Sequence, residues 1–365
     1  APMQCRVRTP CRREPLAMLM YSSGTTGRPK GVMLTHENIF YSICQGASVI
    51  DFDRNLVSHA AMPLFHIAAV MGFSIPALYY AGFAVVERAF DPTAMLKTIS
   101  DPDIGVTHFI GVPAMMNMLL HHPDSAKIDF SCVKGALSGA EAVPESLLQA
   151  WFERGVRVQE VYGMTETTGG TCVVPVEDVP GKIGSSGKPM LFSEFKIMKS
   201  ETEEAAPGDI GEIWMRGPVV TPGYWRRPEA NEKSFVDGWL RSGDIGRIDN
   251  DGYIYVEDRV KDMYISGGEN VYPAEIENVL YKLPEIHEVA VVGVPDAQWG
   301  ESGCVVAVFK AGQDLDFNAI VAHCEGSLAK YKHPKHLVVK QALPRNATGK
   351  VLKFVMREEL KRKFG

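Results

Sequence analysis

The first half of the chain alternates short apolar runs with helical stretches, and this alternation limits the choice of fold more than any other feature. Val106–Ile110, Val156–Val161 and Glu194–Met198 are typical of strands, whereas Ala114–Leu120 and Glu145–Glu153 have the character of helices. Strands that alternate with helices are typical of a layered α/β architecture. A zone rich in glycine and proline follows at 181–225, and its frequent turn signals predict short antiparallel strands.

The pattern changes beyond Asp258, where about a hundred residues predict a small α+β domain. Helices are expected over Pro273–Leu283 and Asn318–Leu328, and strands over Glu288–Val294 and Cys304–Phe309. We therefore divide the chain into three parts. These are a loose tail at 1–14, a large domain with a short antiparallel β portion at 15–258, and a small domain at 259–365.

A long stretch from Leu56 to Val86 has no Asp, Glu, Lys or Arg and raises the question of a membrane span. Pro63, Gly72 and Pro76 interrupt it, and it also contains histidines. Such breaks favour a buried turn followed by a core helix over a membrane-spanning helix. We expect no transmembrane span, while peripheral contact with a membrane stays open.

Charge and cysteine content exclude several classes of protein. The chain has 38 Lys plus Arg against 44 Asp plus Glu, a net charge of −6, so it lacks the basic excess that nucleic-acid binding requires. Its seven cysteines are scattered and odd in number, and the closest pair, Cys5 and Cys11, has no metal-ligand spacing. Neither a disulfide framework nor a zinc site is expected, and a reducing cytoplasm fits best. The oligomeric state is left open.

The segment Tyr21–Gly31, YSSGTTGRPKG, has the chemistry of a loop that binds a polyphosphate. Its glycines let backbone N–H groups approach phosphate oxygens, its hydroxyl groups donate hydrogen bonds, and Arg28 and Lys30 offset negative charge. Pro29 and Gly31 stand where a Walker loop needs Gly and Ser or Thr, which excludes a P-loop NTPase. The segment predicts an ATP site, with a polar surface turn as the alternative.

The loop continues into Val32–His36, and YSSGTTGRPKGVMLTH resembles the signature of the adenylate-forming enzymes. This group includes acyl-CoA synthetases, carrier-protein adenylation domains and firefly-type luciferases. Further matching motifs follow in order: SGAE at 138–141, YGMTE at 162–166, GWLRSGDIG at 238–246, DRVKDMYISGGENVYPAEIE at 258–277 and PRNATGK at 344–350. The resemblance implies a large adenylation domain and a small mobile C-terminal domain. Family members carry a further N-terminal segment before the signature loop, so we expect an N-terminally truncated chain.

The resemblance also implies how ATP and its Mg²⁺ are held. The phosphate loop would bind the β- and γ-phosphates, and the YGMTE segment would lie at the α-phosphate with Glu166 as a Mg²⁺ ligand. The residues implied for ATP are Ser22, Ser23, Gly24, Thr25, Thr26, Gly27 and Lys30 in the loop, Gly139, Ala140, Glu141, Tyr162 and Gly163 around adenine, Thr165 and Glu166 at the α-phosphate, and Asp244 and Arg259 at the ribose. The alternatives are an ordinary exposed glutamate at 166 and a turn-capping aspartate at 244.

Two further candidate residues concern the acid. Lys350 resembles the C-terminal-domain lysine that bridges the carboxylate and the α-phosphate, with a solvated lysine near a basic terminus as the alternative. His66 resembles a histidine near the substrate carboxylate, although a lone histidine in an apolar stretch is often a core residue.

Lys261 occupies the family's hinge position, about which the resemblance implies that the small domain rotates after adenylation. The turn at Gly267 and Gly268 would admit the pantetheine arm of coenzyme A, unless it is simple loop chemistry.

Together these expectations define an ATP-dependent acyl-CoA ligase with ATP, Mg²⁺ and CoA as its small-molecule partners. The segments that resemble the acyl pocket lie near Phe65, Gly111–Met115, Gly135–Ala136 and Val161–Met164, and none carries a charge. We therefore expect an apolar acid, either fatty or aryl. Two alternatives remain: an adenylating enzyme that loads a carrier protein, and a truncated, non-catalytic homologue that only binds nucleotide.

Overall fold

The computed structural model describes residues 15–22, 29–141, 143–346 and 350–364. The predicted loose tail, 1–14, lies outside this part. The strands are β1 (Leu16–Ser22), β2 (Lys30–Thr35), β3 (Val57–Ala60), β4 (Phe83–Val86), β5 (His108–Gly111), β6 (Gly135–Gly139), β7 (Val158–Met164), β8 (Gly169–Val173), β9 (Lys188–Pro189), β10 (Glu194–Met198), β11 (Gly211–Arg216), β12 (Phe235–Val236), β13 (Trp239–Ile248), β14 (Ile254–Arg259), β15 (Tyr264–Ser266), β16 (Glu269–Val271), β17 (Ile286–Asp296), β18 (Gly300–Phe309) and β19 (His336–Val339). The helices are α1 (His36–Ala47), α2 (Ile67–Ala69), α3 (Ile75–Tyr79), α4 (Pro92–Ile99), α5 (Pro113–Leu120), α6 (Glu145–Glu153), α7 (Pro228–Ser234), α8 (Pro273–Leu280), α9 (Phe317–Cys324) and α10 (Lys353–Phe364).

A seven-stranded sheet forms the centre of the larger part, in the order β4-β3-β5-β6-β7-β8-β9. The strands from β4 to β7 pair in parallel, and β8 and β9 add antiparallel pairs at one side. Every residue of β5 and β6 is buried, as expected for parallel strands covered on both faces. The mixed α/β architecture therefore agrees with the sequence prediction.

The uncharged stretch from Leu56 to Val86 forms a strand–helix–strand crossover instead of the predicted buried turn and core helix. β3 and β4 pair in parallel, and α2, a π-helical turn at Val70–Ser74 and α3 connect them. Its far end is also not interior, since Leu78 is 72% exposed and Phe83 is 60% exposed. No helix in the described part of the chain is long and apolar enough to cross a membrane.

A second, antiparallel sheet contains β10, β11, β13, β12 and β14. β10 matches the predicted strand at 194–198, but much of the zone 181–225 consists of connecting turns between β9, β10 and β11. A separate hairpin of β1 and β2 pairs Ser22 with Lys30, so the phosphate loop connects these two strands.

The last part of the chain builds its own sheet from β15 to β19. The buried side chains of α8 and α9 pack with one set of strand residues, and those of α10 with another. The predicted helix from Pro273 ends at Leu280, and the one near residue 318 ends at Cys324, both short of their predicted ends. The boundary after Asp258 falls near the end of β14 and remains a prediction.

Candidate active site

One end of the phosphate loop contacts Glu166 directly, and the other end lies against Tyr224, which contacts the same carboxylate. Ser22 donates a hydrogen bond to Oε1 of Glu166 at 3.1 Å, and the Tyr224 hydroxyl donates to the same oxygen at 3.0 Å. The Lys30 ammonium lies 4.4 Å from the centre of the Tyr224 ring. The other predicted loop residues, Ser23, Gly24, Thr25, Thr26 and Gly27, lie outside the described part of the chain.

Glu166 fits the role of a single carboxylate ligand for Mg²⁺. It sits in a 3₁₀ turn at Thr165–Thr167, directly after β7, and only 9% of its surface is exposed. Its second oxygen, Oε2, accepts no hydrogen bond from the described residues, and these residues contain no cluster of three or more His, Cys, Asp or Glu suited to a metal. Mg²⁺ usually binds through one or two carboxylates together with substrate phosphates, so a lone carboxylate beside the phosphate loop suits it.

Asp244 is held from two sides. Tyr162 donates a hydrogen bond to its Oδ2 at 2.8 Å, and the Arg259 Nε lies 3.3 Å from its Oδ1. Burial and the neighbouring carboxylate raise the pKa of the Tyr162 hydroxyl well above its usual value, so it stays a donor. Asp244 lies within β13, paired with Arg259 on β14, rather than capping a turn. The sequence placed Tyr162 around adenine, which stays a prediction, and the structure shows that its hydroxyl also orients Asp244.

The glycines of the predicted adenine segment are required by strand packing. A Cβ atom on Gly139 would lie 2.2 Å from the carbonyl oxygen of Val161, and one on Gly163 would lie 2.0 Å from that of Gly169. Neither position could accept a side chain without moving the adjacent strand. Both glycines, together with Ala140, also line a cavity of about 810 Å³ next to Tyr162 and Asp244.

Lys350 reaches this region from the C-terminal part of the chain. Its Nζ donates to the carbonyl oxygen of Ala140 at 3.3 Å. The backbone N–H of Lys350 donates a hydrogen bond to the side-chain oxygen of Asn346 at 3.0 Å. Burial, and then the positive charge of Arg259, lower the pKa of Lys350 to about 7. The lysine is therefore not the freely solvated side chain of the alternative interpretation.

Arg345 connects the two parts of the chain next to Lys350. Its guanidinium lies 2.8 Å from a carboxylate oxygen of Glu288 and 3.9 Å from one of Glu141. Burial raises the pKa of Glu141, and the charges of Arg345 and Lys350 oppose that effect. The sequence motif suggested Lys350 but gave no reason to single out Arg345.

His66 combines a structural contact with a place in the site. Its Nδ1 accepts a hydrogen bond from the Ala68 N–H at 3.2 Å, which caps the start of α2. Burial, and then the charge of Lys350, lower its pKa, which favours the neutral imidazole. His66 lines a second cavity, of about 1080 Å³, together with Glu166, Asp244 and Lys350.

An apolar recess of this second cavity lies where an acid tail could be accommodated. The predicted segments supply Phe65, Val112, Val161, Gly163 and Met164, whereas Gly135 and Ala136 do not line it. The sequence reasoning missed the following lining residues, which no local motif marks: Ser42, Gly46, Ile50, Phe52, Met71, Gly72, Ile110 and Leu137.

Gly267 and Gly268 are not brought to either cavity in this structure. They form the turn between β15 and β16 with φ values of 62° and 89°, a left-handed conformation that favours glycine. A Cβ atom on Gly267 would also lie 2.7 Å from the Trp299 ring. Lys261, at the predicted hinge, does line the larger cavity, and burial followed by the charge of Arg259 lowers its pKa.

This arrangement of a phosphate loop, a buried carboxylate and a lysine from a second part of the chain defines an adenylate-forming enzyme. The chain matches the AMP-binding enzyme family over residues 4–225 and the AMP-binding enzyme C-terminal domain over residues 275–350. It belongs to this family, and its relatives place it among the AMP-forming ligases of the acyl-CoA synthetase type.

Similar proteins cover nearly the whole chain. It is 40% identical to the feruloyl-CoA synthase of an Amycolatopsis species over 98% of this chain and 71% of that protein. It is 37% identical to the long-chain-fatty-acid–CoA ligase FadD13 of Mycobacterium tuberculosis, over 96% and 68%. The crystal structure of ATP-bound MatB from Rhodopseudomonas palustris superimposes with a TM-score of 0.90 at 34% identity, covering 97% of this chain and 70% of that one. The apo form of the same protein gives 0.75.

Proposed function

We propose that the protein is an ATP-dependent acyl-CoA ligase that activates an apolar carboxylic acid through an acyl-adenylate. The position of Lys350 carries this proposal, because its ammonium group reaches the end of β6 in a cavity that Glu166, Asp244 and His66 also line. One region thus combines a cation, a carboxylate suited to a metal and a carboxylate suited to ribose. ATP, Mg²⁺ and CoA are the small molecules that this chemistry needs.

In the first half-reaction, a carboxylate oxygen of the acid forms a bond to the α-phosphorus of ATP while the bond to the β-phosphate oxygen breaks. The products are the mixed anhydride with AMP and pyrophosphate. Lys350 is suited to draw the two anionic groups together. Because its pKa is lowered to about 7, the negative charge of these groups would favour its protonated form. Mg²⁺ neutralises phosphate charge in such reactions, and Glu166 is the residue suited to hold it. Asp244 would accept hydrogen bonds from the ribose hydroxyls.

In the second half-reaction, the CoA thiolate attacks the acyl carbon, and AMP leaves as the carbon–oxygen bond breaks. For this step we propose that the C-terminal part, from about Arg259 onward, rotates near Lys261 and brings Gly267 and Gly268 to the cavity. Their left-handed turn presents backbone without side chains, which leaves room for a pantetheine arm. The higher TM-score to the ATP-bound form of MatB supports assigning the described arrangement to the first step.

The acid is proposed to be fatty or aryl and uncharged apart from its carboxylate. The recess is formed by apolar side chains such as Ile50, Phe52 and Leu137, which could not satisfy a second charge. The relatives whose names specify ferulate and long-chain fatty acids both fit this class. A cytoplasmic location is proposed with it, in agreement with the free thiols of the five described cysteines.

The test is acid-dependent exchange of labelled pyrophosphate into ATP, followed by thioester formation with free CoA. Exchange that requires both Mg²⁺ and an apolar acid is expected. A protein that binds ATP but catalyses no exchange with any acid of a broad panel would be a non-catalytic homologue. Exchange without thioester formation from CoA, but with transfer to a pantetheine-bearing carrier, would instead assign the carrier-protein alternative.

A further inference from the structure

Two glycines in helical segments line the apolar recess, although neither backbone requires glycine. Gly46 is in the last turn of α1, and Gly72 is in the π-helical turn at Val70–Ser74. Neither has a positive φ. Glycine inside a helix costs roughly 0.5–1 kcal/mol relative to alanine, so its presence at both positions calls for a steric reason. π-Helical turns occur frequently at functional sites.

Each glycine adjoins a side chain of the recess. A Cβ atom on Gly46 would lie 2.9 Å from Cε2 of Phe52, and a Cβ atom on Gly72 would lie 3.1 Å from Cδ1 of Ile110. Both distances are shorter than ordinary contacts between carbon atoms. An alanine at residue 46 would therefore displace the Phe52 ring, and an alanine at residue 72 would push Ile110 back by a few tenths of an ångström.

Phe52 is half-buried and packs against three aromatic rings. The rings of Phe73, Tyr80 and His108 surround it at centroid distances of 5.8, 6.0 and 6.0 Å. Phe73 and His108 are buried, and none of these three rings lines the cavity. Phe52 therefore forms part of the wall of the recess, and a ring displaced from its aromatic neighbours would move toward the recess.

Ile110 is restricted in a similar way. It lies on β5, paired in register with Leu137 on β6, in the interior of the parallel sheet. Its side chain lies against Gly72 and is 5% exposed. Because protein interiors are close-packed, a methyl group at residue 72 would drive Ile110 toward the cavity.

We propose that Gly46 and Gly72 set the size limit of the acid by allowing Phe52 and Ile110 to lie back from the recess. This inference rests on the proposed ligase function and deepens it. Since Phe52 forms part of the wall of the recess, the substrate is a carboxylic acid whose apolar tail, a ring or a chain of limited length, has a bounded size.

The test measures kcat/KM for pyrophosphate exchange with straight-chain acids of increasing length and with phenylpropenoic acids bearing increasingly large ring substituents. In Gly46→Ala and Gly72→Ala, the ratio of kcat/KM for the largest to the smallest accepted acid is expected to fall about tenfold or more. Phe52→Leu is expected to extend the limit and, combined with Gly46→Ala, to restore the ratio. Gly181→Ala, at an exposed turn outside both cavities with no close contact, is the matched control.

An equal loss for all acids, an unmoved limit, or no recovery in the double variant would overturn the inference. Efficient use of a long straight-chain acid by the unmodified protein would overturn the bounded substrate. If Gly46→Ala does not fold, the other two variants decide the test. Gly72→Ala must lower the size limit of the accepted acids, and Phe52→Leu must raise it. Failure of the ligase function is a distinct result, in which the unmodified protein shows no exchange with any acid.

Discussion

The side-chain nitrogen of Lys350 lies 3.3 Å from the carbonyl oxygen of Ala140, which joins the segment before α10 to the end of β6. Ala140 has a φ of +71°, a left-handed conformation that is uncommon for alanine. The Arg345–Glu141 contact, at 3.9 Å, is one residue further along the same segment. Two consecutive residues of the large part thus receive cations from the C-terminal part.

Replacing Lys350 with alanine is expected to slow acid-dependent pyrophosphate exchange by about a hundredfold or more, because a cation at the reacting anions is lost. ATP affinity should change by less than about threefold, since the phosphate loop and Asp244 are untouched. Exchange kinetics and equilibrium nucleotide binding measure the two quantities. Lys330→Ala removes an exposed positive charge elsewhere and is the control. Exchange at an unchanged rate in Lys350→Ala would remove this residue from the mechanism.

Replacing Glu166 with glutamine is expected to raise the Mg²⁺ concentration needed for half-maximal exchange by about tenfold. The amide oxygen can still accept from Ser22 and Tyr224, so the fold should be retained while the negative charge is lost. Tyr224→Phe removes one of these hydrogen bonds but keeps the carboxylate, and a smaller change is expected. An identical Mg²⁺ dependence in Glu166→Gln and the unmodified protein would contradict the assignment.

Replacing Gly268 with valine is expected to slow thioester formation at least about tenfold more than adenylation. Gly268 has a φ of 89°, and a Cβ atom added to it would meet no atom within 4 Å, so the cost arises from the backbone and from the space needed in the second conformation. Single-turnover measurements of the two half-reactions separate the effects. Gly312→Val is a matched control, because Gly312 has a φ of 75° and equally open surroundings. Equal slowing of both half-reactions would argue against a second conformation.

Replacing Glu160 with glutamine is expected to stabilise the protein more at pH 9 than at pH 6. Burial raises the Glu160 pKa to about 8, while the Gly184 N–H, which donates to its Oε2 at 3.1 Å, opposes the shift. Between its unfolded pKa and pH 8, the folded state holds a proton that the unfolded state has lost. Stability therefore falls as pH rises, by up to about 1.4 kcal/mol per pH unit, and the glutamine variant lacks this contribution.

Denaturant unfolding at a series of pH values measures the effect at Glu160. Glu153→Gln changes an exposed carboxylate on α6 and controls for the loss of charge. Parallel stability curves for Glu160→Gln and the unmodified protein would show that Glu160 does not carry a proton in the folded state.

Local patterns predicted much of the fold. α6 and β10 have the predicted bounds, because their apolar periodicity and flanking turns are local properties. The stretch from Leu56 to Val86 was predicted wrongly, since an apolar run does not by itself distinguish two short strands with a helical connection from one core helix. The helix expected to Leu328 ends at Cys324.

The candidate site also contains residues that local motifs indicated and residues that only long-range packing brings to it. Motifs indicated Glu166, Asp244 and Lys350, which the fold brings to one cavity. The walls of the recess depend on how the π-helical turn packs against α1 and β5, so Gly46 and Phe52 carried no local signal. Likewise, Gly139 and Gly163 were recognised by their motifs, but the reason that they are glycine is the approach of an adjacent strand.

The two contacts that hold Asp244, from Tyr162 and Arg259, fix the direction of its carboxylate within the protein itself. A nucleotide arriving at this position meets a side chain that is already oriented, so little rotational entropy remains to be lost upon association. The sugar recognition proposed for Asp244 would in this sense be prepared by the fold before any ligand is present.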